Sequence, residues 1–124
     1  MASILLVEVH EEIWDFLSRR LKRRGHDVVV AQDGEDGLAK ARSLRPEIVL
    51  LDTNLPIMDG WTVAQSLKSD VETACIPIIA LTAHVMAGDR EKALQAGCYD
   101  YHPKPVDFFR LLEQIDAALL GKAQ

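Results

Sequence analysis

The chain has 124 residues, 48% of them hydrophobic and 27% charged, which is the mixture of one globular domain with one core and excludes a disordered tract. Its formal net charge of −5 argues against a general nucleic-acid binder, which needs a basic face for phosphates, and against docking on an anionic membrane. No apolar run approaches the roughly 20 residues of a membrane-spanning helix.

In chain order, Met1-Ala2-Ser3 lacks the basic flank of a signal peptide. The first apolar run, Ile4–Val7, stops at Glu8. A helix is expected next: Ile13, Phe16, Leu17 and Leu21 recur on one face, while Arg19, Arg20, Lys22, Arg23 and Arg24 fall largely elsewhere. Glu11 and Glu12 suit its positive start and should point away from any pocket; Gly25 closes it. Val28–Ala31 is the second run, and Gly34 lies close to the start of a second helix. Pro46 precedes the run Ile48–Leu51, which ends in Asp52, and Pro77 precedes Ile78–Leu81, which ends in Thr82. Gly97 caps a fourth helix, and a weaker run at Tyr99–His102 leads to Lys104. Phe108, Leu111, Leu112, Ile115 and Leu119 mark one face of a last helix. Cys75 and Cys98 have no C-x-x-C spacing and read as small core residues in a reducing cytoplasm.

Short, continuous apolar runs suit strands buried on both faces, as in a parallel sheet. Five β–α units without repeat or linker point to an α/β fold, a doubly wound five-stranded parallel sheet with helices on both faces. The pattern does not order the strands. One such arrangement runs 2-1-3-4-5, with a crevice at the carboxyl ends of the strands.

In that architecture Glu8, Asp52, Thr82 and Lys104 gather at one edge of the sheet. Taken singly, Asp52 reads as a cap or loop acid, Thr82 as a cap and Lys104 as a solvated charge. Together they bring an acid pair, a hydroxyl and an ammonium to one place. His10 and His84 flank the same place, but on loops, where solvated histidines are common. A transition-metal role is not assigned to them. His26 and His102 receive no role.

The segments Ile4-Leu5-Leu6-Val7-Glu8, Leu50-Leu51-Asp52-Thr53-Asn54-Leu55-Pro56-Ile57-Met58-Asp59-Gly60, Ile79-Ala80-Leu81-Thr82-Ala83 and Pro103-Lys104-Pro105 together resemble the response-regulator receiver domain of two-component signalling. The likeness covers essentially the whole chain, so residues 1–124 are expected to form a single receiver domain. It implies the flavodoxin-like fold with strand order 2-1-3-4-5 and a cytoplasmic location. It also implies that Asp52 accepts a phosphoryl group from a histidine kinase or phosphotransfer protein, with self-catalysed transfer and hydrolysis in place of conventional enzyme activity. On the same likeness, Lys104 stands beside the phosphoryl group and Thr82 offers it a hydroxyl. Thr82 and Tyr101 are the switch pair, and Asn54 and His84 influence phosphoryl lifetime. Mg²⁺ would be held by Glu8, Asp52 and the backbone carbonyl of Asn54. A downstream target would dock on helix four, strand five and helix five, without direct nucleic-acid or membrane binding.

One departure bears on this. The family carries two adjacent acids after strand one, whereas this chain reads Glu8-Val9. Mg²⁺ demands near-octahedral oxygen ligands, so losing a carboxylate should weaken it. Three readings stay open. Glu8 reaches the metal directly; or metal and phosphoryl transfer are both weak; or the chain is a pseudo-receiver, a phosphorylation-independent protein-interaction module. A flavodoxin-like cofactor binder or a P-loop would need glycines after strand one, where Val9-His10-Glu11-Glu12 stands instead.

Overall fold

A strand that is apolar on both sides must be covered on both sides. The computed structural model, which describes residues 2–83 and 89–123, does this with five strands and five helices. The strands are β1 (Ser3–Val7), β2 (Asp27–Ala31), β3 (Ile48–Asp52), β4 (Ile78–Thr82) and β5 (Asp100–Pro103). They are all parallel, in the order β2-β1-β3-β4-β5. The helices α1 (Glu11–Arg23), α2 (Gly34–Leu44), α3 (Gly60–Ser69), α4 (Asp89–Gln95) and α5 (Phe108–Ala123) alternate with them. The expected fold class and strand order are both observed.

Side chains alternate across each strand, and the core divides accordingly. Leu5, Val7, Val49, Leu51, Ile78 and Ala80 face one layer with Leu38 and Ala41 of α2, Val63 and Leu67 of α3, and Ala93 of α4. Ile4, Leu6, Ile48, Leu50, Ile79 and Leu81 face the other, with Leu17 and Leu21 of α1 and Leu111 and Ile115 of α5. Every residue of β3 and β4 is buried, as their uninterrupted apolar runs require.

Local signals set the helix ends. Glu11 and Glu12 occupy the first turn of α1 and Arg20, Lys22 and Arg23 its last, matching the helix dipole. Asp33 caps α2 by accepting the Asp36 N–H at 2.7 Å, and Asp59 caps α3 by accepting the Thr62 N–H at 3.0 Å. Gly25 (φ 89°) and Gly97 (φ 98°) follow α1 and α4 in the left-handed region where glycine is favoured.

Three expectations need correction. Val28–Ala31 was expected to be buried on both faces, but β2 is an edge strand and Val29 is 39% exposed. Phe16 lies at the rim of its helix stripe, 38% exposed, where the Arg20 guanidinium covers both its ring and that of Phe108. Of the two cysteines only Cys98 is buried; Cys75 is exposed.

His102, left without a role by the sequence, is fully buried in β5. Its Nε2 accepts the Asp107 N–H at 3.0 Å, which leaves Nδ1–H to donate to Gln114 Oε1 at 2.7 Å. Gln114 in turn donates to Asp100 Oδ2 and to the Tyr101 carbonyl, so one imidazole ties β5 to α5. Burial pushes the His102 pKa down and Arg110 adds to this, against opposing pulls from Gln114, Asp107 and Asp100. A depressed folded-state pKa means that the unfolded chain takes up a proton which the folded one refuses. Stability from His102 is therefore present above the ordinary histidine value of 6.5 and lost as pH falls below it. Urea unfolding from pH 7.5 to 5 should show a larger loss in the wild type than in His102→Gln, in which His26, also held below its ordinary value by burial, still contributes. Parallel pH profiles would remove the assignment.

Candidate functional site

The register sets the site. Val7 pairs with Leu51, Asp52 with Leu81, and Thr82 with Pro103, so β1, β3, β4 and β5 end side by side. The chain leaving β1 delivers Glu8, β3 ends on Asp52, β4 on Thr82, and β5 runs into Lys104. Glu8 is fully buried, while Asp52 and Thr82 are 1% and 3% exposed. Backbone bonds hold these ends: Glu8 N–H donates to Ala31 O, Thr53 N–H to Leu81 O at 3.0 Å, and Lys104 N–H to Thr82 O at 2.7 Å. At Gly60 an added Cβ would lie 2.4 Å from the Asp52 carbonyl oxygen. Only glycine lets α3 begin this close to the end of β3.

Lys104 Nζ lies 2.8 Å from Glu8 Oε1 and 3.4 Å from Asp52 Oδ1. The first is an ion pair whose direction is not that of a hydrogen bond, since Oε1 has no hydrogen-bond partner. Asp52 Oδ1 also accepts the Asn54 N–H at 3.1 Å, while Asp52 Oδ2 is buried without any hydrogen bond. Two buried carboxylates thus face one ammonium, an arrangement that favours an additional cation.

Electrostatics separates the two acids. Burial raises the pKa of Asp52 and neighbouring Glu8 raises it further. The Asn54 N–H and Lys104 pull it down, leaving it at about 6. Burial raises Glu8 as well, but Lys104, the Asp52 carboxyl and the His10 N–H outweigh it, so Glu8 lies below its ordinary value. Near neutral pH Glu8 is fully ionised and Asp52 largely so, which leaves Asp52 available as a nucleophile.

Asn54 is exposed at the mouth of the pocket. Tyr101 is half-buried in β5, packed against the layer formed by α2, α3 and α4. His84 lies outside the described residues, and Val9 is half-buried beside Glu8. Glu11 and Glu12 are exposed in the first turn of α1, as expected.

His10 flanks the pocket, as the sequence indicates, but its contact with Glu8 goes beyond the solvated loop histidine expected there. It is the N-cap of α1, and the turn out of β1 folds it back onto Glu8: its N–H donates to Glu8 Oε2 at 3.1 Å and its Nδ1 lies 3.0 Å from the same oxygen. The available signal was a histidine two residues after a strand-end acid and immediately before a helix. Donor atoms of Glu8, His10 and Asp52 all lie within 4.8 Å of one another.

Known proteins share the sequence pattern and the fold. The model of the response regulator receiver domain matches residues 4–116. Protein PilH of Pseudomonas aeruginosa is 37% identical over 121 residues, covering 98% of this chain and all of PilH. RpaA of Synechocystis, a DNA-binding dual master transcriptional regulator, is 39% identical over 119 residues, 96% of this chain but 49% of RpaA. The solved receiver domain of the sensor histidine kinase PA1611 from Pseudomonas aeruginosa, which has a magnesium ion coordinated in its active-site cleft, superimposes with a TM-score of 0.88 at 32% identity. That match covers 95% of this chain and 97% of the PA1611 domain. A parallel sheet ordered 2-1-3-4-5, with two acids and a lysine at its carboxyl edge, is thus found in a chain that belongs to the response regulator receiver domain family.

Proposed function

We propose that these residues form one receiver domain acting as a phosphoryl-controlled switch, with Asp52 as the acceptor. The observation that carries this reading is a buried Asp52 carboxylate with one unengaged oxygen, 3.4 Å from the Lys104 ammonium. As the P–O bond to Asp52 forms, the bond from phosphorus to the imidazole nitrogen of a donor histidine breaks. Lys104 balances the charge on the phosphoryl oxygens, and the Thr82 hydroxyl meets one of them. Movement of Thr82 leaves space into which Tyr101 turns, and the α4–β5–α5 face changes shape for a downstream protein. Asn54 and His84 tune how long the phosphoryl group lasts.

Receiver domains bind Mg²⁺ through acidic residues, and the donor set here fits one: Glu8 and Asp52 with the Asn54 carbonyl would hold it, against the orphaned Asp52 oxygen. When bound, Mg²⁺ supplies charge neutralisation at the phosphoryl oxygens. A histidine kinase or phosphotransfer protein is the proposed donor and the cytoplasm the proposed location. No described helix is long and apolar enough to cross a membrane. The net charge of −5 favours protein docking by these residues over direct nucleic-acid contact.

Val9 is the observation that favours a second reading, the phosphorylation-independent interaction module. Titration of the wild type and Val9→Asp with Mg²⁺, with acetyl phosphate labelling read by intact mass, separates the two. Val9→Asp is expected to bind Mg²⁺ about 10-fold more tightly, the equivalent of one carboxylate contact of roughly 1.4 kcal/mol. It should be somewhat less stable without the metal, because a third acid joins the pocket, and recover on binding. Equal Mg²⁺ affinities would show that Glu8 already supplies the missing ligand. A wild type that accepts no phosphoryl group even at saturating Mg²⁺ would establish the interaction module.

A further inference from the structure

Glu8 and Asp52 each divide their two oxygens. Glu8 Oε1 lies 2.8 Å from Lys104 Nζ, whereas Oε2 faces His10, 3.0 Å from Nδ1. Asp52 Oδ1 faces Lys104 at 3.4 Å and takes the Asn54 N–H, whereas Oδ2 is buried with no hydrogen bond at all. The groups that Lys104 does not engage are therefore one oxygen of each acid and the His10 imidazole. A donor atom from each of the three residues falls within 4.8 Å of the others.

Ligands bound at about 2.1 Å to one ion sit about 3–3.5 Å apart, the lower figure when cis in an octahedral shell and the upper in a tetrahedral one. Glu8 Oε2 and His10 Nδ1 already have that separation, 3.0 Å, so the start of α1 need not move for both to reach one ion. Lys104 need not leave either, because it is paired with the other Glu8 oxygen. Imidazole is a good ligand for zinc, cobalt and their neighbours and a poor one for Mg²⁺, which takes oxygen.

We infer that Glu8, His10 and Asp52 form a mixed carboxylate–imidazole site for a divalent first-row transition ion of the zinc or cobalt kind, in which His10 is the ligand that discriminates against Mg²⁺. The inference rests on the acidic pocket proposed above and adds His10 to it. His10 is half-exposed, its side chain 54% accessible, so the ion would reach the buried acids from solvent along the imidazole. Water molecules would complete the shell.

The test is calorimetric titration of the whole chain with Co²⁺, Zn²⁺ and, separately, Mg²⁺, together with the visible absorption of the Co²⁺ form. It compares the wild type, His10→Ala, His10→Gln and Asp52→Asn. His10→Gln keeps a side-chain donor for Glu8 but offers no imidazole, and thus separates ligation from support of the α1 start. The expected result is one Co²⁺ per chain, bound about 10-fold or more tightly by the wild type than by either His10 variant. The Co²⁺ spectrum should change on losing the imidazole, and Mg²⁺ affinity should be the same in the wild type and both His10 variants. Equal Co²⁺ affinity and an unchanged spectrum in the His10 variants, with Mg²⁺ still bound, would overturn the mixed site and leave the Mg²⁺-assisted acceptor standing. Co²⁺ binding that survives both Asp52→Asn and His10→Ala would place the ion elsewhere and also overturn it. Failure of the wild type to bind any of the three ions would remove this site and the Mg²⁺ site together.

Discussion

Asp52→Asn should gain no phosphoryl mass from acetyl phosphate at any Mg²⁺ concentration, under conditions in which the wild type gains one group. The amide has almost the shape of the carboxyl, so β3 and its register need not change, but it lacks the nucleophilic anion. Stability should not fall with it. Asp52 is 1% exposed, lies beside ionised Glu8, and carries an oxygen with no hydrogen-bond partner. A neutral side chain removes like-charge repulsion there, and the midpoint of unfolding should hold or rise. Intact mass and a urea melt check both halves. Persisting phosphorylation in a folded variant would move the acceptor to another residue.

A large loss of stability is expected instead for Lys104→Met, in which length and apolar stem are kept and only the ammonium goes. Its Nζ is 2.8 Å from Glu8, which is fully buried, and 3.4 Å from Asp52. Removing one partner of a buried ion pair typically costs about 3–5 kcal/mol, because the remaining charge stays desolvated. Here a proton on Asp52, whose pKa is already near 6, relieves part of that, so about 3 kcal/mol at neutral pH is the expected loss. Added Mg²⁺ should restore a portion by supplying the absent positive charge. The same variant should accept phosphoryl groups slowly even when metal-loaded, since the cation beside the phosphoryl oxygens is gone. A loss below about 1 kcal/mol would mean that Lys104 contributes no more than a surface charge.

Much of the architecture is legible in the sequence because β3 and β4 are apolar at every position that meets a helix layer. Ile48–Leu51 and Ile78–Leu81 admit few other readings once helices of the right period flank them. Val28–Ala31 looks the same in sequence and is different in space. Which strand is an edge depends on pairing with residues far along the chain, and a run of valines carries no mark of it. Phe16 and Cys75 fail for a similar reason, their exposure being set by what the opposing element leaves uncovered. In the pocket, the strand-end rule placed Glu8, Asp52, Thr82 and Lys104 together, whereas His10 depended on a turn. Its approach to Glu8 follows from the extended backbone at the α1 N-cap (φ −82°, ψ 117°), which residue type alone does not dictate. His102 was passed over because a buried neutral imidazole is defined by its partners, Gln114 and Asp107, neither of which adjoins it in sequence.

The division of the interior into two layers has an evolutionary side. Leu50 and Leu51 are neighbours in the chain yet pack in different layers, one with α1 and α5 and the other with α2, α3 and α4. Substitutions that share no contacts add without interaction, so each layer can accumulate compensating changes while the other stays as it is. A lineage could then change the side chains packed beneath α2, α3 and α4 and leave the layer beneath α1 and α5 as it is. At the carboxyl edge of the sheet, by contrast, Lys104 pairs with both Glu8 and Asp52, so a change at one of the three is felt by the others.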